Sequence, residues 1–165
     1  MTLQHKQRGI TLIEVLITAF VMAVGLLGMA ALQLNGLNTN HDAYYRSQAT
    51  LFATDLADRM RANLDAARDG AYAADEAPDD PGYDCETSFP VADSCSGTQL
   101  AASDLYQWYD RLGDTATGLP SAQATVTCPA PCDTGTPYTI NLAWDEDRSG
   151  DITADDPTLN LQVVP

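Results

Sequence analysis

The chain has 165 residues and a formal net charge of −15, from 23 acidic against 8 basic side chains. A surface this acidic repels phosphate backbones, which argues against nucleic-acid binding by charge neutralisation and favours solubility and divalent cations. The length beyond the first predicted helix suits one globular head with a modest core.

In chain order, a basic leader at residues 1–9, containing Lys6 and Arg8, runs directly into an apolar stretch at residues 10–34 that carries one charge, Glu14. An ordinary secretory signal is cut after its hydrophobic segment, at an Ala-x-Ala-like site. Here the expected cut lies before it. Lys6, Arg8 and Gly9 followed by Ile10-Thr11-Leu12-Ile13-Glu14 resemble the class III signal of type IV prepilins. That resemblance implies cleavage after Gly9 by prepilin peptidase and N-methylation of the new first residue, Ile10. It also makes Glu14 the fifth residue of the mature chain, where pilins carry a glutamate that faces the amino terminus of a neighbouring subunit. Loss of Lys6 and Arg8 takes the charge from −15 to −17 and removes the lone lysine. A plain signal anchor accounts for Lys6 and Arg8 equally well. It does not account for Glu14, because a carboxylate at the bilayer centre costs roughly 2.5–3.5 kcal/mol.

No proline precedes Pro78, so one helix can run from Ile10 to about Asp65, with Gly25, Gly28 and Gly36 as soft points. Its first half is apolar on all sides, as a membrane span or a fibre centre requires. In the second half, Tyr45, Ala49, Phe52, Leu56 and Met60 recur at three- and four-residue steps and form an apolar stripe suited to a sheet. The opposite face offers Asp55–Arg59 and Arg61–Asp65 at i,i+4 spacing. The segments Gly25-Leu26-Leu27-Gly28-Met29-Ala30-Ala31-Leu32-Gln33 and Leu56-Ala57-Asp58-Arg59-Met60-Arg61-Ala62-Asn63 resemble the minor pilins called type IV pilus modification proteins, the PilV group. Two readings of Arg59 and Arg61 stand: ion pairs on a solvated helix end, or contacts to acidic surfaces of neighbouring subunits.

Residues 70–97 are rich in Asp, Pro, Gly and Ser and read as a long loop. A short amphipathic helix follows at residues 103–112, with Ser103 or Asp104 as cap, Leu105, Trp108, Tyr109 and Leu112 on one face, and Gly113 as stop. Trp108 is expected in the core. Leu119-Pro120 and Ala124-Thr125-Val126-Thr127 extend the similarity to the PilV group into the head. Strand character marks residues 123–127, 138–144 and 159–163, the last two with clear alternation. Four cysteines, Cys85, Cys95, Cys128 and Cys132, fall where an N-terminal anchor places them outside the cytoplasm, so they read as two disulfides. Three pairings exist. The local one, Cys85–Cys95 and Cys128–Cys132, is favoured because each pair brackets a short turn-rich loop, and a crossed pairing stays open.

Residues 145–156 place oxygen-bearing side chains at loop positions 1, 3, 5, 9 and 12, glycine at 6 and an aliphatic residue at 8. This spacing fits an EF-hand-type calcium loop, with Asp145, Asp147, Ser149, Asp151, Thr153 and Asp156 as candidate ligands. Ser149 is a weak fifth-position ligand, Asp156 replaces the longer glutamate, and strands flank the loop. The alternative is an acidic hairpin turn with Ser149-Gly150 at its tip.

No catalytic signature is present: there is no G-x-S-x-G, H-E-x-x-H or P-loop, and after processing the remaining histidine is His41. The chain is therefore expected not to be an enzyme and to require no cofactor, calcium apart. The expected fold is α+β and pilin-like, a long N-terminal α-helix packed against a small antiparallel β-sheet head with disulfides. Its parts are a leader (1–9), a membrane or fibre-core segment (10–34), an amphipathic continuation (35–66) and a β-rich head (67–165). The resemblance implies a minor pilin of the PilV group. Its expected partners are other major and minor pilins through the N-terminal helix, prepilin peptidase and the inner-membrane assembly platform. It would sit in the inner membrane with a periplasmic head, then in a pilus fibre at the cell surface. Three alternatives are a type II secretion pseudopilin, an adhesin-like tip subunit, and a membrane-anchored periplasmic calcium-binding module that keeps residues 1–9.

Overall fold

Helix formation dominates the first part of the chain because it lacks proline and is rich in Ala, Leu and Met. In the computed structural model, which describes residues 11–83, 85 and 95–165 (the side chain of Asn38 aside), helix α1 spans Leu12–Ala62. Two compact units divide at this helix, residues 1–41 and residues 42–165.

Within the second unit, α1 ends sooner than its periodicity predicts. Asn63 leaves helical geometry (φ −127°, ψ 56°) and its side-chain amide donates to the Gly97 carbonyl at 2.7 Å, after which a five-residue helix α2 covers Leu64–Arg68. The C-terminus of α2 closes with the Ala71 amide on the Ala66 carbonyl and the Gly70 amide on the Ala67 carbonyl, a Schellman arrangement. It requires the left-handed φ of +82° that Gly70 supplies without a Cβ penalty.

Helix α3 spans Gly97–Leu112, starting six residues earlier than the amphipathic pattern indicates. Ser96 is the cap. Its hydroxyl accepts from the Gln99 amide while the Gln99 side chain accepts from the Ser96 amide, a complete capping box. Ser103 and Asp104, expected as caps, lie buried in the helix interior, and Gly113 ends the helix as expected.

The strands β1 (Gln123–Thr127), β2 (Tyr138–Ala143) and β3 (Thr158–Val163) form an antiparallel sheet in the order β1-β2-β3. Register pairs Val126 with Ile140 and Ala124 with Leu142 on one side, and Ile140 with Leu161 and Leu142 with Leu159 on the other. Since side chains alternate at period two, this register puts one apolar row on one face. The outer edge of β1 is partly covered by Ala74, which exchanges two backbone hydrogen bonds with Val126 at 2.8 and 2.7 Å.

One core cluster joins Tyr45, Ala49, Ala53, Leu56 and Met60 of α1 to Leu105, Trp108 and Leu112 of α3 and to Val126, Ile140 and Leu142 of the sheet. Trp108 is fully buried, and its indole N–H donates to the Phe52 carbonyl at 2.8 Å. Tyr109 bridges α3 to β1 through its hydroxyl on the Ala124 carbonyl, and burial pushes its pKa up to about 12. The disulfides are the local ones, Cys85–Cys95 and Cys128–Cys132. Beside the second of them, the Tyr138 hydroxyl donates to the Ala67 carbonyl at 2.6 Å and ties β2 to α2.

Candidate functional site

Functional candidates occur in both units. In the first, every residue from 12 to 37 is exposed, among them Leu12, Ile13, Phe20, Val21, Leu27 and Leu32. Leaving so many aliphatic and aromatic side chains in water is unfavourable by about 25 cal/mol per Å² of apolar surface, so this segment requires lipid or other protein around it. By length and composition it can cross a membrane. Glu14 stands in the first helical turn, where a carboxylate complements the partial positive charge of the helix terminus. Gly9 and Ile10, the expected processing site, lie outside the described residues.

In the second unit, Arg59 turns inward. Its guanidinium donates to the Asp104 carboxylate at 2.8 Å and to Asp55 at 3.2 Å, and the Tyr72 hydroxyl donates to the other Asp104 oxygen at 2.6 Å. Arg59 and Asp104 side chains are 15% and 6% exposed. Burial and the adjacent carboxylate both hold the Tyr72 phenol protonated, well above its ordinary pKa. Arg59 therefore joins α1 to α3 within the chain. Arg61 remains on the surface, paired with Asp58 at 2.7 Å instead of the expected Asp65. Pairing at i,i+3 satisfies the same helical neighbour rule, and such exposed pairs are worth only a few tenths of a kcal/mol.

The acidic loop between β2 and β3 is built around Asp145, which is 1% exposed. Its carboxylate accepts from the Ser149 amide at 3.0 Å and the Gly150 amide at 2.8 Å. Asp147 accepts from the Ser149 amide at 2.9 Å, and Asp156 accepts from the Glu146 and Thr153 amides at 3.1 and 2.7 Å. One carboxylate oxygen each from Asp145, Asp147 and Asp156 lies within 4.8 Å of the others. Asp151 is not part of this triad; the Ser149 hydroxyl donates to the Asp151 carbonyl, and the Thr153 hydroxyl to Asp156. Gly150 provides the positive φ (+100°) at the turn.

Backbone N–H donation holds the Asp147 and Asp156 carboxyls below the usual carboxylate range. These bonds are intact at neutral pH and are lost as pH falls through the lowered values. A carboxylate offers about four lone-pair sites, so these bonds leave acceptor capacity for a cation.

Sequence reasoning missed Tyr72 and Asp104 as partners of Arg59, and also the Tyr45 hydroxyl, which accepts from Arg148 at 2.8 Å. Tyr45 was legible only as a member of the apolar stripe; nothing in the local pattern signals a partner 103 residues away.

Two family models match the chain. Residues 4–30 match the prokaryotic N-terminal methylation motif, and residues 31–106 match the model described as type IV pilin Tt1218. No curated protein and no solved structure matches.

Proposed function

We propose, from the premise that this chain is a class III signal prepilin of the type IV pilin class, that it acts as a minor pilin of the PilV group. In this reading prepilin peptidase cuts between Gly9 and Ile10 and methylates Ile10. The apolar helix holds the chain in the inner membrane with its head in the periplasm, and then passes laterally into a growing fibre. The role is structural rather than catalytic. One observation carries it: residues 12–37 expose apolar side chains on every side, with Glu14 the single charge among them. A helix that must exchange lipid for a protein bundle has this character, and a lone carboxylate there calls for a cationic partner. The amino terminus of a neighbouring subunit supplies one.

The decisive measurement is the mass of the N-terminal peptide of membrane-expressed protein, with and without the cognate prepilin peptidase. The expected mature chain begins at Ile10 with one added methyl group. Retention of residues 1–9 beside an active peptidase would overturn the reading and favour the anchored calcium-binding module. Co-purification with sheared pili, rather than with a secretion apparatus, separates the pilus subunit from the type II secretion pseudopilin.

A second reading concerns the acidic loop, where Asp145, Asp147 and Asp156 are proposed to hold a calcium ion. Two features support it: the spacing of oxygen donors in the sequence and the convergence of three carboxylates within 4.8 Å. Asp145 is already oriented by amides at loop positions 5 and 6, so little rearrangement opposes binding. Titration calorimetry with millimolar calcium is expected to show binding by the full chain, together with a raised melting temperature that Asp147→Ala removes. Absence of both heat and melting shift would eliminate this reading and leave the loop as a self-bonded acidic turn.

A further inference from the structure

The acidic loop also forms one wall of a cleft. This cleft, of about 540 Å³, lies within the second unit between Tyr44 and Tyr45 of α1, the 113–121 connection and Arg148. Its size falls within the roughly 300–1,000 Å³ of small-ligand sites.

Each wall is held in place. Tyr44 and Tyr45 meet edge to face at 5.8 Å, and Tyr44 is 52% exposed. Arg148 is fixed by its hydrogen bond to the Tyr45 hydroxyl. In the 113–121 connection, the Asp114 carboxylate accepts from the Ala116 and Thr117 amides and the Thr117 hydroxyl, which closes the turn at 114–117. The Asp145 amide donates to the Pro120 carbonyl at 3.0 Å and locks the two loops together. Gly118 is packed so closely that a Cβ would fall against the carbonyl oxygens of Leu112, Asp114 and Arg111.

Backbone strain singles out the same place. Among the described residues, two non-glycine residues have left-handed φ, Ser121 at 45° and Arg148 at 58°, and both line this cleft. Strain of this kind gathers at sites where a surface has been shaped for a ligand.

The chemistry of the lining selects the ligand class. Arg148 presents only donors, Asp114 only acceptors, and Thr115 and Ser121 offer hydroxyls that do both. A guanidinium and a carboxylate in one cleft oppose a strongly anionic or a strongly cationic occupant alike. An exposed tyrosine face beside these groups fits a molecule with one apolar face and a rim of hydroxyls. The geometry points to a neutral carbohydrate: we infer that this cleft binds a short neutral glycan, its ring laid on Tyr44 and its hydroxyls on Arg148, Asp114, Thr115 and Ser121. The site operates whether or not the chain is a pilus subunit, since every lining residue belongs to one unit of one chain.

The test is saturation-transfer NMR on the full chain in a sugar-free zwitterionic detergent, with lactose, maltose and chitobiose at millimolar concentration as probes. At least one disaccharide is expected to receive saturation, strongest on the protons of one ring face. The signal is expected to fall at least fivefold in Tyr44→Ala, which removes the platform, and in Thr115→Trp, which fills the cleft. Both residues are exposed, so an unchanged circular dichroism spectrum separates loss of binding from loss of fold. An Arg61→Ala control elsewhere on the surface is expected to leave the signal intact. Absence of transfer to all three sugars, or transfer that survives in both cleft variants, overturns the inference. So does a trilysine peptide that shifts the tyrosine resonances while the sugars do not, because the cleft is then a basic-peptide site.

Discussion

Glu14→Val is expected to leave processing at Gly9 unchanged and to reduce incorporation into fibres by about 100-fold or more. Cleavage depends on the leader and on the residues flanking the cut, and valine continues the apolar run without altering them. Assembly is different. In the proposed fibre, Glu14 compensates the amino terminus of the adjacent subunit inside an apolar bundle, where an unpaired charge is far more costly than in water. Removing one member of a buried pair costs roughly 3–5 kcal/mol, and each 1.4 kcal/mol is about a tenfold change in equilibrium. Glu14→Asp is expected to retain part of the assembly, because the charge survives on a shorter side chain. Immunoblots of sheared fibres against membrane fractions, with N-terminal masses for both, provide the readout. Wild-type levels of Glu14→Val in fibres would remove the pairing role.

Asp104→Ala is expected to destabilise the second unit by roughly 3–5 kcal/mol. Its carboxylate is 6% exposed and receives Arg59 at 2.8 Å and Tyr72 at 2.6 Å. Truncation leaves the Arg59 guanidinium paired with Asp55 and takes away the nearer acceptor of the buried Tyr72 phenol. Tyr72→Phe removes the hydroxyl that donates to Asp104 and to the Arg59 carbonyl and accepts from the Asn63 amide, and is expected to cost about 1–3 kcal/mol. Replacing both charges with apolar residues, in Arg59→Met with Asp104→Leu, is expected to recover much of the loss, because buried pairs exchanged for packed hydrocarbon are often neutral. Urea denaturation of the full chain in detergent, followed by tryptophan fluorescence, measures all three. A loss below 1 kcal/mol for Asp104→Ala would show that the joint contributes little to the fold.

These two sites differ in how far the sequence reveals them. Glu14 is conspicuous because everything around it is apolar, and its spacing from Gly9 belongs to a local signal. Asp104 sits between Ser103 and Leu105, where local rules favour a helix cap. The actual cap, Ser96 with Gln99, has the right spacing but is followed by Gly97, a weak helix former, at the end of a stretch that reads as loop. Asn63 breaks α1 for a reason equally remote from its neighbours, since its amide is drawn to the carbonyl of Gly97.

Contiguous sequence determined the apolar first helix, the three strands with their buried faces and the acidic loop, because each is written in neighbouring residues as charge, spacing or alternation. The tertiary structure decided which charges face inward. Arg59 has the same i,i+4 signature as any surface pair, and only the arrival of α3 brings Asp104 within 2.8 Å and takes both out of water. It also decided the cleft beside Arg148, whose walls come from three distant segments. Local propensity acts over a few residues, whereas burial and long-range ion pairing depend on which elements pack together, and only the folded chain brings those elements into contact.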